Sequence, residues 1–466
     1  MPHSIEAPPP DGTIASAIAT LEKLISFPSV SAKSNVDIND WCAATLTQMG
    51  FTLWRSGYRD ERGVRKANLV AVRNPAGQRG EAFFSGRARA LRYFGNDEGP
   101  EGLRPAANTS SNAANICFTA LPAGTEQRET SADRSNAAAS QQGLAYFCHT
   151  DVVPAKKWVG APAPSHSSAV DTAAGPFGAV VSDDRVYGRG ACDMKGSLAA
   201  MLSAVARVDV RQQTAPIWMV CTADEEVGFN GAKHLVDHCD GYRELVHADP
   251  VSVIGEPTEM NVVYAHKGIQ GFTVHSRGRA GHSATNFGIN ANEAMVPMLV
   301  KLLELCQRTR EDAGLQDDRF DPPVLSWNFG VSDHSNVINI TPERSDAWVS
   351  FRTMPEVDAA ELVAEAEATA RRLGLTLTPI AGCDPLWTDP DSEFVSQFQA
   401  IAGTRSQTVC YATDGGVLGE LSRRIVIGPG SIAQAHTVDE WIAIDQLRRG
   451  IDCYEKALRH WCTQVA

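Results

Sequence analysis

The chain has 466 residues with 55 acidic and 42 basic side chains, a formal charge of −13. That length suffices for two domains with buried cores. An acidic balance without a basic block argues against nucleic acid or an anionic membrane as partner. No apolar run approaches the roughly 20 residues of a membrane span, and the N-terminus lacks the basic and apolar regions of a secretory signal. Eleven cysteines without CxxC pairs read as reduced thiols, which places the protein in the cytoplasm.

Ile14, Ile18, Leu21 and Ile25 recur at helical spacing, with Pro28 as the stop. A second helix carries Ile38, Trp41, Thr45 and Met49 on one side and Gly50 at its C-terminal cap. A strand follows over 68–72. Between residues 75 and 142 no period of 2 or 3.6 persists, so this segment is expected to be a largely disordered insertion.

From Leu144 strands and helices alternate: strand 144–148, helix 196–208, strand 216–221, helix 231–239, strand 251–254. Such alternation predicts a mainly parallel sheet covered on both faces, an α/β fold. Near Lys267 the pattern changes to strand 269–276, helix 290–305, strands 324–330 and 345–352, helix 358–373 and strand 375–379. This β-α-β-β-α-β order predicts a smaller α/β sandwich inserted into the larger unit. Strands 408–411 and 424–427 and a last helix over 444–460 return to the first pattern. The expected division is a catalytic domain over 1–265 and 380–466, interrupted by a second domain over 266–379.

Ligands of open α/β sheets bind beyond the carboxyl ends of the strands. Polar residues gather at those ends: His149 and Asp151 after strand 144–148, Glu225 and Glu226 after 216–221, Glu256 after 251–254, and His436 after 424–427. Asp193 lies just before helix 196–208. A single histidine after a strand is commonly a loop residue, and paired glutamates there commonly favour a helix N-terminus. Together, two imidazoles and several carboxylates without a thiolate suit Zn²⁺, Mn²⁺ or Co²⁺. Of the adjacent Glu225 and Glu226, one is free to serve as base while the other binds metal. His234 and His238 have helical zinc-site spacing but lack the glutamate between them, and read as surface histidines. There is no GxSxG elbow and no Walker loop, which weakens serine-hydrolase and nucleotide-hydrolase readings.

The blocks FCHTDVVP (147–154), GRGACDMKG (188–196), TADEEVG (222–228), GEPT (255–258), AHKG (265–268), GRAGHSA (278–284) and PGSIAQAHTVDEW (429–441) resemble the motif set of the M20 metallopeptidase and amidohydrolase family, especially its acetylornithine deacetylase branch. The resemblance implies two divalent metal ions, zinc first and cobalt or manganese as alternatives. His149 and Glu256 would hold one, Glu226 and His436 the other, and Asp193 would bridge them. It implies that Asp151 orients the His149 imidazole and that Glu225 moves the proton. His282 would contact substrate across a homodimer. Arg352, Asn336 and the backbone of the Gly428–Gly430 turn are further candidates for holding substrate. The implied reaction is amide hydrolysis of an N-acylated amino acid, N-acetyl-L-ornithine foremost. Succinyl-diaminopimelate, aminoacylase or dipeptidase substrates are alternatives on the same scaffold, as is a non-catalytic binding protein.

Overall fold

The computed structural model describes residues 9–76, 143–161 and 175–464. The expected disorder over 75–142 therefore lies, apart from Pro75 and Ala76, outside the described residues.

Helix α1 (Ile14–Ile25) starts where the Thr13 hydroxyl accepts from the Ser16 amide and buries Ala17, Leu21, Leu24 and Ile25. Helix α2 (Val36–Gln48) follows, ending before Gly50, whose φ of 85° fits the predicted cap. Strands β1 (Thr52–Arg59) and β2 (Arg65–Arg73) form an antiparallel hairpin. Next come β3 (Leu144–His149), the short β4 (Val180–Ser182) and β5 (Arg185–Tyr187), α3 (Gly196–Ala206) and β6 (Ile217–Thr222). They are followed by α4 (Asn230–His238), α5 (Asp240–Ala248), β7 (Val251–Ile254) and β8 (Val262–His266). Every residue of β3, β6 and β7 is buried, as expected of strands covered on both faces.

After His266 the chain enters a second sheet. It comprises β9 (Gln270–Arg277), α6 (Ala291–Glu311), β10 (Trp327–Ser332), β11 (Arg344–Phe351), α7 (Ala360–Arg372) and β12 (Thr376–Pro379). All pairs in it are antiparallel, in the order β10-β11-β9-β12. Burial alternates along β11, with Ser345, Ala347, Val349 and Phe351 inward. The two helices cover that face, and Asp346 and Trp348 point the other way. The chain rejoins the large sheet at β13 (Leu386–Trp387), which pairs with β8. It finishes with α8 (Glu393–Ala402), β14 (Ser406–Val409), β15 (Arg424–Val426), β16 (Trp441–Ala443) and α9 (Ile444–Cys462).

The large sheet runs β1-β2-β6-β3-β7-β15-β8-β13, with β14 also on β8. Its centre, β6-β3-β7-β15, is parallel, and antiparallel strands extend both sides. One apolar core packs α1, α2, α3 and α9 on one face, and another packs α4 and α5 on the opposite face. The parallel centre is what positions the site, because it delivers the carboxyl ends of four strands to one edge. No helix among the described residues is long and apolar enough to cross a membrane.

Candidate metal centre

His149 is the last residue of β3 and is buried. Its Nδ1 lies 2.9 Å from the main-chain carbonyl of Asp151. A carbonyl only accepts, so Nδ1 carries a proton, which leaves Nε2 facing the site, where it donates to a carboxylate when protonated or offers a cation its lone pair. That Nε2 is 2.9 Å from Asp193 Oδ1 and 3.7 Å from Glu256 Oε1. Glu256 sits two residues beyond β7, 5 % exposed.

On the other side, His436 Nε2 is 2.9 Å from Glu226 Oε2 and 3.3 Å from Asp193 Oδ2. Glu226 comes from a single 3₁₀ turn over Glu225–Val227, which starts after Asp224 in the left-handed region at φ 52°. His436 also has a left-handed φ, 64°. Asp193 thus turns one oxygen toward each imidazole.

Within each of the groups His149–Asp193–Glu256 and Asp193–Glu226–His436, one donor atom per residue lies within 4.8 Å of the others. The donors are imidazole nitrogens and carboxylate oxygens, without a thiolate, which fits borderline-to-hard divalent cations. The charge pattern fits too. Burial pushes the carboxyls of Glu225 and Glu256 well above the usual carboxylate range, and neighbouring carboxylates add to it. Burial opposes the charge of Asp193 as well, but hydrogen bonds from His149 and His436 hold its carboxyl below the ordinary range. Hydrogen bonds to Asp193 and Glu226 push His436 up to about 10. A buried excess of negative charge of this kind is compensated by bound cations. Among the described residues, His234 and His238 join no such group; their rings stack 4.4 Å apart on α4.

Asp151 behaves differently from expectation. Its carboxylate Oδ1 is 3.8 Å from His149 Nδ1, too far to hydrogen-bond, because the main-chain carbonyl already occupies that nitrogen. The carboxylate instead accepts from the Glu225 amide at 3.2 Å and from the Ser31 hydroxyl at 2.7 Å. It therefore reaches Glu225 through that residue's backbone. Gly430 also requires a correction. Its amide donates to Gln446 Oε1 at 3.3 Å, and the Gly428 amide to Thr258 Oγ1 at 3.2 Å, so neither is presented to a substrate. At φ 98°, with a Cβ position only 2.6 Å from Cys192 Sγ, Gly430 is a close-packed turn residue.

His282, Asn336 and Arg352 belong to the small-sheet unit. His282 is exposed and bridges to Ile340, Asn336 is exposed in the loop after β10, and Arg352 is half-buried just beyond β11. The structure does not bring them into the carboxylate–imidazole cluster.

Other buried groups support the site from positions that no spacing rule marks. Lys66 on β2 is ion-paired with Asp224, and the Tyr58 hydroxyl donates to the same carboxylate at 2.8 Å. Asp414 accepts from Thr222 Oγ1 at 2.6 Å at the end of β6, and burial pushes its carboxyl up to about 6. The signal for Asp414 in the sequence is the Thr-Asp-Gly-Gly turn over 413–416.

The profile of peptidase family M20/M25/M40 matches residues 145–460. An acetylornithine deacetylase from Myxococcus xanthus is 29% identical over 465 residues, covering 97% of this chain and 98% of that protein. An acetylornithine deacetylase from Pectobacterium carotovorum subsp. carotovorum is 30% identical over 334 residues, 69% of this chain and 80% of its own length. The fold is similar to that of an M20 family metallo-carboxypeptidase from Sulfolobus solfataricus, with a TM-score of 0.63 at 16% identity over 96% of this chain and 99% of that one. The match over most of the chain and the two donor triads agree: this protein is a hydrolase of peptidase family M20/M25/M40.

Proposed function

We propose that the protein hydrolyses the amide bond of an N-acylated amino acid, with N-acetyl-L-ornithine as substrate and L-ornithine and acetate as products. The reading is carried by the two donor triads that share Asp193, with the Glu225 carboxyl beside them. The substrate follows the names of the relatives that match over most of their length.

His149, Asp193 and Glu256 would hold one divalent cation, and Asp193, Glu226 and His436 a second, zinc foremost with cobalt or manganese as substitutes. When bound, such a pair lowers the pKa of water and polarises a carbonyl. Glu225 takes a proton from the attacking water as its oxygen bonds to the acyl carbon. The same carboxyl then gives that proton to the amide nitrogen as the C–N bond breaks, leaving a free amine and a carboxylate. Asp151 holds the Glu225 backbone for both transfers. Outside the metal-binding cluster, Arg352 would grip the α-carboxylate. Asn336 would add a hydrogen bond, and His282 would stabilise the oxyanion.

The exposed positions of His282 and Asn336 suit contribution to the site of a second copy. Strand β10 is one edge of the small sheet, and Phe329 and Val331 are exposed on it. Val296, Val300 and Leu303 form an exposed apolar stripe on α6. A second chain pairing here would cover both. We therefore read residues 266–379 as a lid and dimerisation domain and the protein as a homodimer. A cytoplasmic location accords with the ten cysteines among the described residues, all free thiols.

The test is amine release by metal-loaded protein from a panel of N-acetyl-L-ornithine, N-succinyl-diaminopimelate, other N-acetyl amino acids and dipeptides, with a chelated aliquot alongside. The expected result is the highest kcat/KM for N-acetyl-L-ornithine, lost on chelation and restored by metal. Preference for a succinylated or dipeptide substrate would overturn the assignment of substrate while leaving the hydrolase in place.

A further inference from the structure

Asp193 is delivered by a turn of irregular backbone between β5 and α3, and one buried carboxylate holds that turn. Glu440, only 1 % exposed, lies just ahead of β16. Its Oε1 accepts from the amides of Cys192 at 2.9 Å and Asp193 at 3.0 Å. Its Oε2 accepts from the Gly190 amide at 2.8 Å and from the Arg189 guanidinium at 2.7 Å. Arg189 donates in addition to the Thr437 carbonyl at 2.9 Å, one residue after His436. The Glu440 carbonyl accepts from the Gly188 amide at 3.0 Å. The segment that carries His436 is thereby bolted to the turn that carries Asp193, through five hydrogen bonds centred on one carboxylate and one guanidinium and a sixth between main-chain groups.

We propose that Glu440, with Arg189 as its partner, is a positioning residue for the two-cation centre: it sets where Asp193 stands relative to His436, and so sets metal affinity. The inference rests on the metal-centre reading above and assigns a function to a side chain that touches neither cation nor substrate. The donor pattern explains why a carboxylate is required. Both oxygens face two N–H donors each, so the amide of a glutamine would turn its own N–H₂ toward two donors and lose one pair of contacts outright. A lysine at position 189 keeps the charge but cannot reach Glu440 and the Thr437 carbonyl in one planar fork.

The experiment is competition for Zn²⁺ between full-length protein and a chromophoric chelator, with thermal unfolding of each metal-free protein measured in parallel. Variants are Glu440→Gln, Arg189→Lys, and Met298→Ala in the small-sheet core as a control for lost stability. The expected result is that Glu440→Gln binds Zn²⁺ about 10- to 100-fold more weakly than the wild type. Arg189→Lys is weakened in the same direction by less, and it carries the test if Glu440→Gln yields no folded protein. Met298→Ala lowers the Tm yet binds Zn²⁺ like the wild type. Wild-type affinity in both Glu440→Gln and Arg189→Lys would overturn the proposal and leave the metal centre standing. Affinity lost equally in Met298→Ala would overturn it too, by showing that stability alone governs binding. Failure of the wild type to bind Zn²⁺ would instead overturn the metal-centre reading, and this inference with it.

Discussion

Asp151 shows how a residue's neighbour matters more than its place in a motif. Two positions after His149, it looks like the imidazole's partner, but its backbone carbonyl fills that role and its carboxylate supports the Glu225 amide. Replacing Asp151 with Ala should therefore lower kcat about 10- to 100-fold with little change in KM. Loss of bound metal with kcat per metal unchanged would contradict this. Behind the same turn, Lys66 and Asp224 form a buried ion pair. Changing Lys66 to Met leaves the carboxylate with Tyr58 as its remaining side-chain partner, and should cost about 3 kcal/mol of stability in a urea titration. The candidate donors His149, Glu226, Glu256 and His436 were legible in the sequence because they follow strands apolar enough to find, and Asp193 because it precedes a predicted helix. Glu440, Lys66 and the direction of the Asp151 carboxylate were not, since their meaning depends on segments far away in the chain that folding brings to them.

Strands β3, β6 and β7 were legible because burial on both faces makes them unbroken apolar runs. The order of elements in the small sheet was equally readable, although β10 begins at Trp327 rather than at 324, after Pro322-Pro323. Strand β1 escaped because it is half-buried and mixes Thr, Arg, Ser and Gly among its apolar residues. Helices α5 and α8 bury two large side chains each, Tyr242 and Leu245 in one and Val395 and Phe398 in the other, too few to establish a period. At this scale Asp346 of β11 offers a test. It accepts from His275 on β9 and from His334 in the loop after β10, each at 2.8 Å, and is also paired with Arg344. Burial works against its charge, yet these hydrogen bonds hold its carboxyl down to about 2. An aspartate in the unfolded chain titrates near 3.9. The lowered folded value means stability that is present above about pH 4 and lost as pH falls toward about 2. Since the cluster lies at the surface, screening limits the increment to about 1 kcal/mol. Asp346→Asn should lack that acid slope in urea titrations, and an unchanged slope would show that the cluster contributes nothing.

Among the described residues the chain forms two main sheets and a three-stranded one of β16, β5 and β4, and it passes between the two main ones after His266 and before Leu386. Where the second sheet enters was legible as a change of pattern; how many copies assemble was not. Helix α6 is apolar on two sides, with Met295, Met298, Leu302 and Leu305 buried and Val296, Val300 and Leu303 exposed. Periodicity does not distinguish a stripe for the core from a stripe for a partner. Val331→Lys on the edge strand β10 should convert a dimer to a monomer in sedimentation velocity and lower activity as His282 loses its neighbour's site. A wild-type monomer with full activity would remove the cross-subunit role of His282. The proposed chemistry separates metal binding from proton transfer between two adjacent glutamates, Glu226 and Glu225. Its most direct test is to measure turnover and metal content together in Glu225→Gln, using the N-acyl amino acid that the wild type hydrolyses best. The expected result is two metal ions per chain in wild type and variant alike, with the variant's turnover reduced by about 100-fold or more. Wild-type turnover, or loss of the metals with Glu225, would contradict it.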